Sequence, residues 1–136
     1  MTWVERRHET EDTLSKGLKA EWGELLKHLD ESVAAHRRLF EYSPLKPDSS
    51  ILGGVFSVAK NAPVKSGSRV VTMSVSLHGT MIHFATTQTE GVTDIKGYLV
   101  FKAIGGKVEI TKGPKDGSVL SMDDACEIIL GKFLFD

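Results

Sequence analysis

Between Leu14 and Phe40 the apolar positions recur at steps of three and four. Advancing about 100° per residue, Leu14, Leu18, Trp22, Leu25, Leu26, Leu29, Val33, His36, Leu39 and Phe40 fall within one arc. Lys16, Lys19, Lys27, Asp30, Arg38 and Glu41 take the other side. This is the pattern of a helix that buries one face, and it predicts a helix over residues 10–42. Thr10 followed by Glu11 and Asp12 suits an N-cap with acids at the positive end of the helix dipole. Thr2 and Glu5 also have capping-box spacing, which allows a start near Trp3. Pro44 stops the helix, because the residue before a proline is pushed out of the α region. Asp12 with Lys16 and Arg37 with Glu41 are opposite charges one turn apart. Gly17 and Gly23 interrupt the helix and mark a bend or a close approach.

Past the helix the period changes from near four to two. Residues 43–50 hold two prolines and a serine pair and read as a loop. Residues 51–60 are apolar and predict a first strand, with Gly53-Gly54 expected as a bulge or a close backbone approach. Residues 61–68 read as a turn-rich connection. In residues 69–87, Val71, Met73, Val75 and Leu77 alternate with Thr72, Ser74, Ser76 and His78. Gly79-Thr80 then supplies a two-residue turn with glycine first. The implied hairpin pairs Leu77 with Ile82, Val75 with Phe84 and Met73 with Thr86 on an apolar face. On the other face it pairs His78 with Met81, Ser76 with His83 and Ser74 with Ala85. A slip of one residue would invert both faces.

Residues 90–96 read as a connection. Residues 97–112 predict a second hairpin about Gly105-Gly106. There Phe101 opposes Ile110, Ala103 opposes Val108, and Lys102 opposes Glu109 as a favourable cross-strand charge pair. Residues 113–117 are a turn. Ser121, with Asp124 at capping-box spacing, opens a last helix whose buried stripe is Met122, Cys126, Ile129 and Phe133.

The expected architecture is one α+β domain over residues 1–136. It has a long N-terminal helix, a five-stranded antiparallel sheet over about 51–112, and a short C-terminal helix over about 121–134 packed on one sheet face. Short links between consecutive strands exclude parallel crossovers. A helix of about 50 Å is longer than five strands at about 4.8 Å spacing are wide. Part of its apolar stripe is therefore expected to overhang, to bend at a glycine, or to meet another subunit.

Composition narrows the function classes. Lys plus Arg is 17 and Asp plus Glu is 18, which leaves no net field to attract nucleic acid or an anionic membrane. The single cysteine excludes an intrachain disulfide and a cysteine-based zinc site. No apolar run approaches the length of a membrane span, and the first residues lack a signal-peptide core, so the expected setting is cytoplasmic. Residues 112–118 hold glycine and lysine but not the spacing of a phosphate-binding loop, and they read as a turn.

The candidate site residues come from the helix. Ser32 and His36 stand one turn apart at the buried arc, and with Trp22 they are the candidate ligand-binding set. Trp22 and Phe40, as large apolar anchors, are the candidate interface residues. Cys126 sits in an apolar stripe and reads as a small buried hydrophobe. His78 and His83 share a sheet face, but no acid or cysteine in their strands completes a metal site, and none is expected. That same face carries hydroxyls at Thr72, Ser74, Ser76 and Thr87. With no clustered catalytic set and no cofactor motif, the expectation is a non-enzymatic binding or assembly module. It acts as a homodimer or with a protein partner, and without nucleic acid or membrane. The alternative is a protein that takes a small apolar ligand, or a hydrolase-like enzyme, with its pocket between the long helix and the sheet.

Overall fold

The computed structural model of the chain describes residues 2–64, 67–87 and 94–135. Helix α1 spans Trp3–Leu39, 37 residues and about 55 Å. The helix starts at the earlier of the two caps. The Thr2 hydroxyl accepts the Glu5 N–H at 3.2 Å and faces the Glu5 carboxylate at 3.1 Å. It also ends sooner than residue 42, with Phe40 as the C-cap and its N–H donating to the His36 carbonyl at 2.8 Å. Asp12 and Lys16 pair at 2.9 Å as expected. Arg37 instead reaches Asp48 at 3.2 Å, because Glu41 lies beyond the last helical turn.

Among the described residues the sheet has seven strands rather than five, all antiparallel and in sequence order: β1 Asp48–Leu52, β2 Val55–Val64, β3 Gly67–His78, β4 Met81–Thr86, β5 Lys96–Ile104, β6 Lys107–Thr111 and β7 Val119–Leu120. One added strand comes from the stretch expected as a single strand. Gly53 and Gly54 both have positive φ, 60° and 74°, which is the requirement of a tight hairpin turn. The glycine pair therefore reverses the chain instead of bulging it. The other added strand, β7, pairs Val119 with Thr111 and Leu120 with Ile110. Most of the expected connection at 61–68 is strand as well, since β2 and β3 run on beyond the apolar core. The connection expected at 90–96 lies partly outside the described residues.

Both sequence-derived registers hold at every pair, from Met73 with Thr86 to His78 with Met81, and from Phe101 with Ile110 to Ala103 with Val108. Lys102 opposes Glu109, but its ammonium donates to the carbonyls of Pro114 at 2.7 Å and Asp116 at 3.5 Å. Residues 112–118 thus fold back toward the outer face, and the Asp116 carboxylate accepts the Ser118 N–H at 2.9 Å.

The inward residues Phe56, Val58, Val71, Met73, Val75, Ile82, Phe84, Leu99, Phe101, Val108 and Ile110 form one core with both helices. Helix α2, Met122–Phe135, supplies Ala125, Cys126, Ile129, Leu130, Phe133 and Leu134. Ser121 caps it by accepting the Asp124 N–H at 3.0 Å. Helix α1 touches β1 and β2 as well as β5 and β6, so it bridges the sheet from near one edge to near the other. A Cβ on Gly17 would lie 2.8 Å from Val108 Cγ2, and this glycine lets the helix seat on β6. The apolar stripe is covered from Leu14 to His36. What overhangs is polar: every residue from Thr2 to Asp12 is exposed, with Trp3 and Val4 the only large apolar side chains among them. Among the described residues no helix is long and apolar enough to cross a membrane.

Candidate functional site: a groove over the C-terminal helix

Three elements line an open groove of about 1190 Å³. The last turns of α1 contribute Ser32, Ala35, His36, Leu39 and Phe40. Helix α2 runs through it with Cys126, Ile128, Leu130, Leu134 and Phe135, and the sheet side supplies Phe84, Ile95 and Leu120. Lys96, Lys112 and Lys132 share the rim with Asp123, Asp124 and Glu127, so neither sign of charge dominates. Leu39 (70 % exposed), Phe40 (48 %) and Phe135 (63 %) leave large apolar surface open here.

The helices set these groups by their own periodicity. His36 and Phe40 are one turn apart, and their rings stack at 4.9 Å between centroids. Phe135 meets both edge-on, at 5.3 Å from His36 and 5.4 Å from Phe40. His36 is thereby buried, and among the described residues its Nδ1 is the buried side-chain polar atom with no hydrogen-bond partner. Ser32 donates to the His28 carbonyl at 2.8 Å. Burial pushes the Cys126 thiol up to about 11, against the opposing effect of the Ser32 hydroxyl beside it. The charges of Asp123 and Glu31 push the same way as burial. At neutral pH the thiol is protonated and a poor nucleophile.

Of the candidates read from sequence, Ser32, His36 and Phe40 come together in this groove. Trp22 does not. It packs in the core, and its indole N–H donates to the Gly54 carbonyl at 3.1 Å under the β1–β2 turn. The groove that holds Ser32, His36 and Phe40 is lined by the end of α1, by the sheet side and by α2 together. Two residues escaped the sequence reading. Phe135 closes the aromatic cluster from the last turn of α2. Lys60 is buried on the inner face, where it donates to the Phe133 carbonyl and lies 4.5 Å from the Phe133 ring centroid. Its signal was the alternation Phe56, Val58, Lys60, Ala62, which carries a lysine inward.

On the opposite sheet face, His78 and His83 meet edge to face with centroids 5.0 Å apart, and Ser76 Oγ lies 3.1 Å from His78 Nε2. Tyr98 is the cross-strand neighbour of His83. Among the described residues no three or more His, Cys, Asp or Glu side chains are grouped to hold a metal ion. Comparison with protein-family models, curated proteins and solved structures finds no match to this chain.

Proposed function

We propose that the protein is a binding module that takes a small, largely apolar ligand in the groove over α2. The observation that carries this reading is the open cluster of Leu39, Phe40 and Phe135 around the buried His36 ring. Ligand sites are concave and mostly apolar with a few polar groups, and this groove has that composition. The mixed charges of the rim give no preference for an anionic or a cationic head group. The protonated thiol of Cys126 favours binding over nucleophilic chemistry.

The neutral dye Nile red tests the reading. Saturable fluorescence enhancement at one dye per chain is expected, with affinity falling at least fivefold in Leu39→Ser and Phe135→Ser. Absence of saturable binding, or equal affinity in these variants, overturns it.

A second reading, self-association, is favoured by the exposed Trp3 (69 %) at the tip of the α1 overhang. Sedimentation would then show a dimer that Trp3→Ser dissociates. A monomer at high concentration removes this reading and leaves the groove untouched.

A further inference from the structure

The geometry points to a copper(I) site on the outer face of the β3–β4 hairpin, held by His78, His83 and the thioether of Met81. These residues sit beside one another by register. His78 faces Met81 across the strands, and His83 lies two residues further along β4, on the same face. Both histidines are exposed and Met81 is half-buried.

The ring spacing is the first observation. A metal about 2.0–2.1 Å from an imidazole nitrogen lies about 3.2 Å from that ring's centroid, so two rings at about 90–110° around it stand about 4.5–5.2 Å apart. The rings of His78 and His83 are 5.0 Å apart, within that range. Ser76 is the second observation. Histidine ligands usually bond their other ring nitrogen to a neighbour, which fixes tautomer and orientation. The contact of Ser76 Oγ with His78 Nε2 does this when Nε2 carries the proton, and it leaves the Nδ1 lone pair for the metal.

The donor set selects the ion. Two imidazoles and a thioether, with no carboxylate or thiolate, suit soft copper(I). A structural zinc site would call for a fourth protein ligand, and the described residues of this face supply none.

An anaerobic titration of the whole chain with copper(I), buffered by bathocuproinedisulfonate, tests the assignment. The protein should withdraw one equivalent. His78→Ala and His83→Ala should each weaken binding at least tenfold. Met81→Leu should weaken copper(I) at least fivefold while leaving zinc(II) affinity unchanged. Cys126→Ala should bind as the parent does. Circular dichroism should show all variants folded: the His78, His83 and Met81 changes fall on the outer face, and Cys126→Ala replaces a small buried side chain by a smaller one. Failure to withdraw copper(I), full binding by the double histidine variant, loss of binding in Cys126→Ala, or equal copper(I) affinity in Met81→Leu overturns the assignment. Nile red binding is unaffected in the His78, His83 and Met81 variants, because the groove lies on the other side of the sheet.

Discussion

His36 Nδ1 is buried with no partner, and such a group costs about 1–3 kcal/mol of desolvation. Replacing the ring by an apolar one of similar shape removes that cost and keeps the contacts to Phe40 and Phe135. His36→Phe should therefore raise stability by about 1 kcal/mol, read as a higher urea midpoint, while His36→Ala, which leaves a cavity, should lower it by about 2–3 kcal/mol. If both variants lose stability alike, Nδ1 has a partner after all. Cys126 makes a second residue-scale prediction. Its thiol is ordinarily near 9.0 and stands near 11 in the folded chain. Between those values the unfolded thiol ionises and the folded one does not, so folding holds the extra proton and stability falls as pH rises from about 9 to 11. The loss is on the order of 2–3 kcal/mol, with no further loss from this group above pH 11. Urea midpoints at pH 8, 9.5 and 11 should show this slope relative to Cys126→Ala, and parallel curves would refute it. Sequence periodicity did place Ser32 and His36 at the buried arc. It could not show that α2 ends beside them, because the meeting of Phe135 with His36 joins residues about a hundred positions apart.

At the scale of elements, the two glycines of α1 look alike in sequence and differ in surroundings. Gly23 is exposed with no atom within 4 Å of where a Cβ would sit, whereas a Cβ on Gly17 would press on Val108 at 2.8 Å. Alanine gains about 1 kcal/mol over glycine inside a helix. Gly23→Ala should thus stabilise by roughly that amount. Gly17→Ala should gain nothing or lose stability, and Gly17→Val should lose more, as seen by thermal melts. Equal stabilisation by both alanines would show that α1 does not rest on β6 as described. The hairpins about Gly79-Thr80 and Gly105-Gly106 were legible because alternation and turn chemistry agreed, and a one-residue slip would have buried His78 and exposed Val75. The β1–β2 hairpin was not, although it also turns on two glycines. Its first arm, Asp48–Leu52, is short and largely exposed, three polar residues followed by Ile51 and Leu52, so no alternation announced it. β7 pairs only two residues, too few for any periodic signal.

Across the whole molecule, the length of α1 sets how the layers close. The mismatch between a long helix and a narrower sheet was visible in the sequence, but its resolution was not. Two further strands widen the sheet, α1 bridges it from near β1 to β6, and the stripe from Leu14 to His36 is used within one chain. The excess length falls on residues 2–12, where charged side chains need no cover. These turns touch little, so their removal should cost only helix-end effects, whereas Leu14 and Leu18 pack against the core. A chain lacking residues 2–10 should keep its melting temperature within about 2–3 °C, since less than about 1 kcal/mol is at stake. A chain lacking residues 2–19 loses both leucines and the Gly17 contact with Val108, and should melt at least about 10 °C lower, because burying each leucine contributes about 1.5–3 kcal/mol when complete. If the shorter deletion were as damaging as the longer one, the first three turns would have to be covered in solution. A dimer that dissociates on Trp3→Ser would then account for the loss, and the homodimer reading would gain its support from stability rather than from shape.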